Sequence, residues 1–162
     1  MAVNNEVREF LDETGMSYET LRHPRVFNTI DEARALGMEA DEIAKTLVIN
    51  IKGEFAIAVV PGGHKVDNHK LREVFASKHA RLATEEEIRR DFPQFELGAV
   101  PPLPGILGLP GYAERQLLNH DTIIFTGGTH TDSVRMNCAD FINMIQPEMV
   151  DLCRWEEEEM AA

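Results

Sequence analysis

Apolar and polar positions change period several times along the chain, and those changes predict its elements. Val3, Val7, Phe10 and Leu11 fall at helical spacing, and Gly15 stands where a helix would be capped. Residues 16–21 form a short strand candidate. Arg22-His23-Pro24-Arg25 breaks it, because proline lacks an N–H and restrains the residue before it. Asn28 or Thr29 can cap a helix that carries Asp31 and Glu32 in its first turn, Ala33 and Leu36 further on, and Gly37 at its close. A helical turn at 39–43 leads into the clearest strand, which runs to Ile51. Lys52-Gly53 separates it from Phe55-Ala56-Ile57-Ala58-Val59-Val60, which Pro61-Gly62-Gly63 stops, so the pair predicts a hairpin. Strand alternation places Lys45 on the face of Leu47, Ile49 and Ile51, and Thr46, Val48 and Asn50 on the other.

Beyond the hairpin, Asp67 can cap a helix bearing Leu71, Val74 and Phe75. Residues 80–83 suggest a short strand. Thr84-Glu85-Glu86-Glu87 has the form of a capping box, starting a helix to about Asp91. Residues 96–105 carry too many prolines for a central strand and read as a shaped loop, irregular as far as Gly111. Residues 116–119 and 122–125 suggest strands. The turn Gly127-Gly128-Thr129-His130-Thr131, a strand at 133–136 and a helix at 138–145 follow, with Pro147 after it. Helices precede, interrupt and follow a cluster of strands, which predicts a mixed α+β domain.

Composition narrows the class. The chain has 162 residues, 43% of them hydrophobic and 27% charged, which suits one globular domain. The expected division is a domain over 1–150 and an acidic tail over 151–162. No apolar run is long enough to span a bilayer, and the first residues do not read as a signal peptide. Cys138 and Cys153 make neither a CxxC pair nor a disulfide framework. A reduced, cytoplasmic protein is expected. The net charge of −12 includes the run from Glu156 to Glu159 and disfavours a DNA-coating or non-specific nucleic-acid binder. It leaves room for a small basic patch that grips one RNA end.

Candidate chemistry is sparse. Lys45 heads an apolar strand face, so it either snorkels to the rim or serves as a cation at the mouth of a cleft. The loop from Gly98 to Pro102 is either a structural turn or a backbone cradle whose N–H groups face a ligand. His130 is either an exposed turn histidine or a base or donor. His23, His64, His69, His79 and His120 lack the spacing of a zinc site, and no metal or other cofactor is expected. Cys138 at an apolar helix start reads as core rather than nucleophile.

Several motifs in this order resemble the YbaK/EbsC family and the editing domain inserted in bacterial prolyl-tRNA synthetases. They are His23-Pro24 with Thr29, residues 42–48, Pro61-Gly62, Lys65-Val66-Asp67-x-x-Lys70-Leu71, Gly98-x-x-x-Pro102 and the Gly-Gly-Thr-His130 turn. The resemblance runs from about residue 4 to about residue 146. It implies a strongly bent, barrel-like sheet with flanking helices, and hydrolysis of the ester of mischarged aminoacyl-tRNA. It also implies that Lys45 holds the tRNA 3′ end or the aminoacyl group, and that the Gly98 loop, with Ala99 and Pro102, orients the ester carbonyl. His130, with Gly128 in its turn, matches the synthetase-insert branch. Phe27, Asn28, Thr29 and Thr46 would lie near the aminoacyl side chain. The implied partners are mischarged tRNA and an aminoacyl-tRNA synthetase. Two other readings stay open: a non-catalytic tRNA- or synthetase-binding module, and a hydrolase of small aminoacyl esters.

Overall fold

The computed structural model describes residues 3–155. Helix α1 (Asn5–Thr14) starts at Asn4, whose side-chain oxygen accepts from the N–H of Glu6 and Val7, and ends at Gly15 with φ 71°. Its apolar stripe, Val7 and Leu11, is buried. Strand β1 (Tyr18–Arg22) and helix α2 (Thr29–Leu36) follow, the helix capped by Asn28 and closed by Gly37. A 3-10 turn at Ala40–Glu42 delivers the chain to the hairpin of β2 (Ala44–Ile51) and β3 (Glu54–Pro61). Lys52 and Gly53 both take positive φ, 54° and 90°, the geometry a two-residue hairpin turn needs.

The hairpin is the centre of the molecule because both its faces are covered. Leu47 and Ile49 pack with Leu71, Ala80 and Leu152 on one side. Ala44 and Val48 join Val7, Leu11, Phe125 and Phe141 in a larger core on the other. That double burial explains the nearly unbroken apolar run in β3. Helix α3 (Asn68–Val74), strand β4 (Ala80–Leu82) and helix α4 (Glu85–Asp91) come next, with the Thr84 capping box formed in both directions. Short helix α5 (Pro104–Leu107) interrupts the proline-rich loop. Strand β5 (Gly111–Glu114) then precedes a 3-10 helix, Arg115–Asn119, where the apolar pair Leu117-Leu118 had suggested a strand. Strand β6 (Thr122–Thr129), strand β7 (Asp132–Asn137), helix α6 (Cys138–Ile145) and strand β8 (Glu148–Val150) complete the order.

The strands form a five-stranded sheet, β4-β2-β3-β5-β8, and a three-stranded sheet, β1-β7-β6. A single parallel bridge, Ile43 to Ile124, joins them just upstream of β2. The mixed α+β class is as expected. Gly127 and Gly128 lie within β6 rather than in its turn, where the register slips between Thr126 and Thr129. Packing also continues past residue 150. Leu152 and Cys153 are fully buried, Cys153 bridges Val66, and the Trp155 ring lies 4.6 Å from that of His64. The acidic run from Glu156 to Glu159 lies outside the described residues. Among those residues no helix is long and apolar enough to cross a membrane.

Both cysteines are core residues. Burial, with Glu114 and Asp151 nearby, pushes the Cys153 thiol up to about 12, and burial also raises Cys138. Native protein at pH 8 is therefore expected to resist a thiol reagent until denaturant is added. Prompt labelling of either thiol in the folded state would contradict this packing.

Candidate active site

Four segments converge on one cleft of about 400 Å³. The start of β2 supplies Lys45 and Thr46. The entry to α2 supplies Phe27, Asn28, Thr29 and Glu32. The loop after α4 supplies Gly98, and the β6–β7 turn supplies His130. His64 and Lys65, just after β3, complete the rim.

Lys45 is exposed, and its ammonium has no hydrogen bond or ion pair among the described residues. It is a free cation at the cleft wall. Thr46 follows it on the opposite strand face. Its hydroxyl oxygen is buried without a partner, alone in this among the described side-chain atoms. Leaving a hydroxyl so costs about 1–3 kcal/mol.

Gly98 has φ 84°, and a Cβ built there would sit 3.1 Å from the Phe27 carbonyl oxygen and 3.5 Å from His130 Cε1. Glycine is required by conformation and by space. The N–H of Ala99 donates to the Glu96 carbonyl at 2.9 Å, whereas the N–H groups of Gly98 and Val100 have no acceptor among the described residues. The loop therefore offers unspent backbone donors at the cleft.

His130 is buried rather than exposed. Its Nδ1 lies 2.6 Å from the Val26 carbonyl, its backbone N–H donates to Glu96 at 2.8 Å, and its ring lies 5.0 Å from that of Phe27. A carbonyl can only accept, so Nδ1 carries the proton, and Nε2 lies 3.5 Å from Glu96 Oε2. Glu96 also approaches Arg25 at 3.7 Å, and the Arg25 guanidinium lies 5.5 Å from the Phe27 ring centroid. Phe27 itself is 63% exposed, at the mouth rather than inside.

Three residues expected against the ligand do not line the cleft. Ala99 is buried with its N–H already used, and Pro102 is buried behind the loop. Gly128, at φ 95°, is packed beneath Asn4 and Phe95, where its absent side chain makes room. Conversely, composition and period gave no sign of a buried polar chain behind Glu32. Ser133 donates to Glu32 Oε2, and His23 Nε2 lies 2.8 Å from Ser133 Oγ. Burial raises the Glu32 pKa, against opposing contributions from Ser133 and His23. Only the paired His23-Pro24 was visible as a motif. Among the described residues no three His, Cys, Asp or Glu side chains gather as a metal site.

A family model for the aminoacyl-tRNA editing domain matches residues 23–144, from His23 through His130 and into α6. The chain belongs to that family. Of curated relatives, a proline–tRNA ligase of Staphylococcus aureus is 35% identical over 75 residues, 46% of this chain and 13% of that enzyme. This editing-domain chain thus spans about an eighth of the curated relatives it matches. A solved structure described as "a putative trans-editing enzyme for prolyl tRNA synthetase" is 25% identical and superposes with TM-score 0.81, over 94% of this chain and 97% of that one. A hypothetical protein of known structure reaches TM-score 0.84 at 21% identity, over 93% of this chain and 100% of its own.

Proposed function

We propose that the cleft hydrolyses the ester of a mischarged aminoacyl-tRNA, acting in trans on tRNA charged by a prolyl-tRNA synthetase. The observation that carries this reading is the meeting of an unpaired cation, Lys45, with unspent backbone donors at Gly98 and Val100 in one cleft of an editing-family chain. A synthetase gains only about 1–3 kcal/mol from one methylene, so near-cognate amino acids slip through, and a second small pocket can remove them. A volume of about 400 Å³ suits a small aminoacyl group with part of its nucleoside.

The chemistry asks little of the protein. An oxygen nucleophile, water or a substrate hydroxyl, adds to the ester carbonyl. The C–O bond to the ribose then breaks, and the amino acid leaves as the tRNA regains its hydroxyl. The carbonyl oxygen becomes an oxyanion in between, and the uncommitted Gly98 N–H serves as its donor in this reading. Ser133 and both cysteines are buried and do not line the cleft, so none of them serves as the nucleophile. Lys45 neutralises a phosphate or the carbonyl oxygen, with Lys65 beside it on the rim. Phe27, exposed at the mouth beside Arg25, suits stacking on the terminal base better than enclosing an amino-acid side chain.

The test is a panel of alanyl-, cysteinyl- and seryl-tRNA, on proline and other acceptors, incubated with the purified chain. At least one ester is expected to be cleaved, and Lys45→Ala to lower that rate by about 10- to 100-fold, the range of a lost charge-assisted contact. No cleavage across the panel, or full activity in Lys45→Ala, would overturn the reading.

A further inference from the structure

The cleft carries both signs of charge. Lys45, His64 and Lys65 line it, and so does Glu32, from the first turn of α2. Glu32 is 7% exposed yet lines the cleft. The remaining charges of that helix face elsewhere: Asp31 and Arg34 meet each other 3.7 Å apart at the surface. A carboxylate this buried requires a reason, because a cation does not touch it directly.

Its support is a hydrogen-bonded chain that permits two proton arrangements. His23 Nδ1 lies 2.9 Å from the Pro24 carbonyl, so Nδ1 carries a proton. With Glu32 ionised, Ser133 donates to it, and His23 donates to Ser133 from Nε2 as an imidazolium. With Glu32 protonated, the same links run in reverse, Glu32 to Ser133 to a neutral His23. Every donor is used in both arrangements, and the net charge is the same. An ionised Glu32 with a neutral His23 would leave two acceptors, the carboxylate and Nε2, sharing the one hydrogen of Ser133. The chain thus holds Glu32 in one orientation and keeps a compensating proton within reach, while the carboxyl stays at the cleft wall.

We propose that Glu32 is the receptor for the substrate's free α-ammonium group, with His23 and Ser133 as positioning residues that orient its carboxylate. This rests on the deacylase reading for its substrate class. The end of an aminoacyl-tRNA has the matching polarity: an ammonium one carbon from the ester carbonyl, and a phosphate beyond the ribose. With its ammonium on Glu32 and its phosphate on Lys45 or Lys65, such a substrate would present its carbonyl within the same cleft that the Gly98 loop lines. The consequence is a selectivity for aminoacyl esters with a free amino group over N-acylated ones. Acylation removes the charge and adds bulk where the carboxylate expects neither change.

Hydrolysis of alanyl-tRNA is compared with that of N-acetyl-alanyl-tRNA, using the wild-type chain and Glu32→Gln. Wild type is expected to favour the free amine in kcat/KM by about 10- to 100-fold, the range of one charge-assisted contact. Glu32→Gln keeps the shape and a hydrogen bond to Ser133. It should lower the free-amine rate by the same factor and leave the N-acetyl rate within about three-fold. A general structural loss would lower both alike, and that result overturns the proposal. Equal rates for the two substrates in wild type overturn it without any variant. Binding of the matching non-hydrolysable 3′-aminoacylamino-adenosines, free and N-acetylated, separates the two readings. Selective binding without any turnover leaves Glu32 standing and removes the hydrolase; turnover without selectivity does the reverse; the absence of both removes both.

Discussion

Gly98→Ala is expected to lower kcat for ester cleavage by about 10²- to 10³-fold, the usual loss when one oxyanion donor is misplaced. The cause is local and geometric. At φ 84° an added Cβ lies 3.1 Å from the Phe27 carbonyl oxygen and 3.5 Å from His130 Cε1. The first contact is tight and the second is an ordinary one, but it leaves the new methyl no room to shift that way. One is backbone, and the other is pinned by Val26 at 2.6 Å. The loop must move instead, carrying the Gly98 N–H away from the place proposed for the substrate carbonyl. The left-handed backbone adds about 1–2 kcal/mol of strain, a drop of only a few degrees in Tm, so folded protein with poor catalysis is the expected result. Gly108→Ala is the matched control. It pays a similar strain at φ 65° with nothing within 4 Å of the new Cβ and lies outside the cleft, so its rate should stay near wild type. Gly98→Ala activity within about three-fold of wild type would remove the loop from the mechanism.

Local rules made much of this molecule legible. Asn28, Asp67 and Thr84 each accept from a backbone N–H at a helix start, because capping is settled within a few residues. The hairpin is equally local, since Lys52-Gly53 fixes its turn and alternation fixes its faces. The gathering of Lys45, Gly98 and His130 at one cleft was readable only through the family resemblance, because those segments are far apart in sequence.

What escaped depends on partners distant in the chain. Strand β5 is four residues whose neighbours, β3 and β8, both run parallel to it, so no turn announces it. Residues 116–119 looked extended, but the Glu114 carboxylate caps the Gln116 N–H and curls them into a 3-10 helix. Gly127 looked like a turn residue. It is small because Val3 would lie 2.9 Å from a Cβ there, where the start of α1 crosses β6. Glu32 carried an ordinary helix-start signal, since an acidic residue in a first turn is usual on the surface. Its burial is a property of the His23–Ser133 pairing, which joins β7 to the segment before α2 and leaves no trace in periodicity.

Glu114→Ala is expected to destabilise the fold by about 3–5 kcal/mol, the largest effect of any single polar change here. Glu114 is 1% exposed. Its carboxylate accepts from the N–H groups of Leu152 at 2.8 Å, Cys153 at 3.1 Å and Gln116 at 3.0 Å. Alanine strands the Leu152 and Cys153 donors in the interior, at about 1–3 kcal/mol each before relaxation, and uncaps the half-exposed Gln116 N–H, which predicts a fall in Tm of about 10 °C or more. Glu114→Gln retains one oxygen for Leu152 and Cys153 but turns an amide N–H₂ toward Gln116, so it should fall between alanine and wild type. The same carboxylate ties structure to function. The segment it anchors runs on to Arg154, whose N–H donates to the Lys65 carbonyl at 2.9 Å, and to Trp155 against His64. Lys65 and His64 are cleft rim, so loosening that segment should raise KM for the tRNA more than it lowers kcat. Thermal unfolding and steady-state kinetics on the two variants measure both consequences. A Tm shift below about 3 °C in Glu114→Ala would mean that its three donors find other acceptors, and that the rim does not depend on this carboxylate.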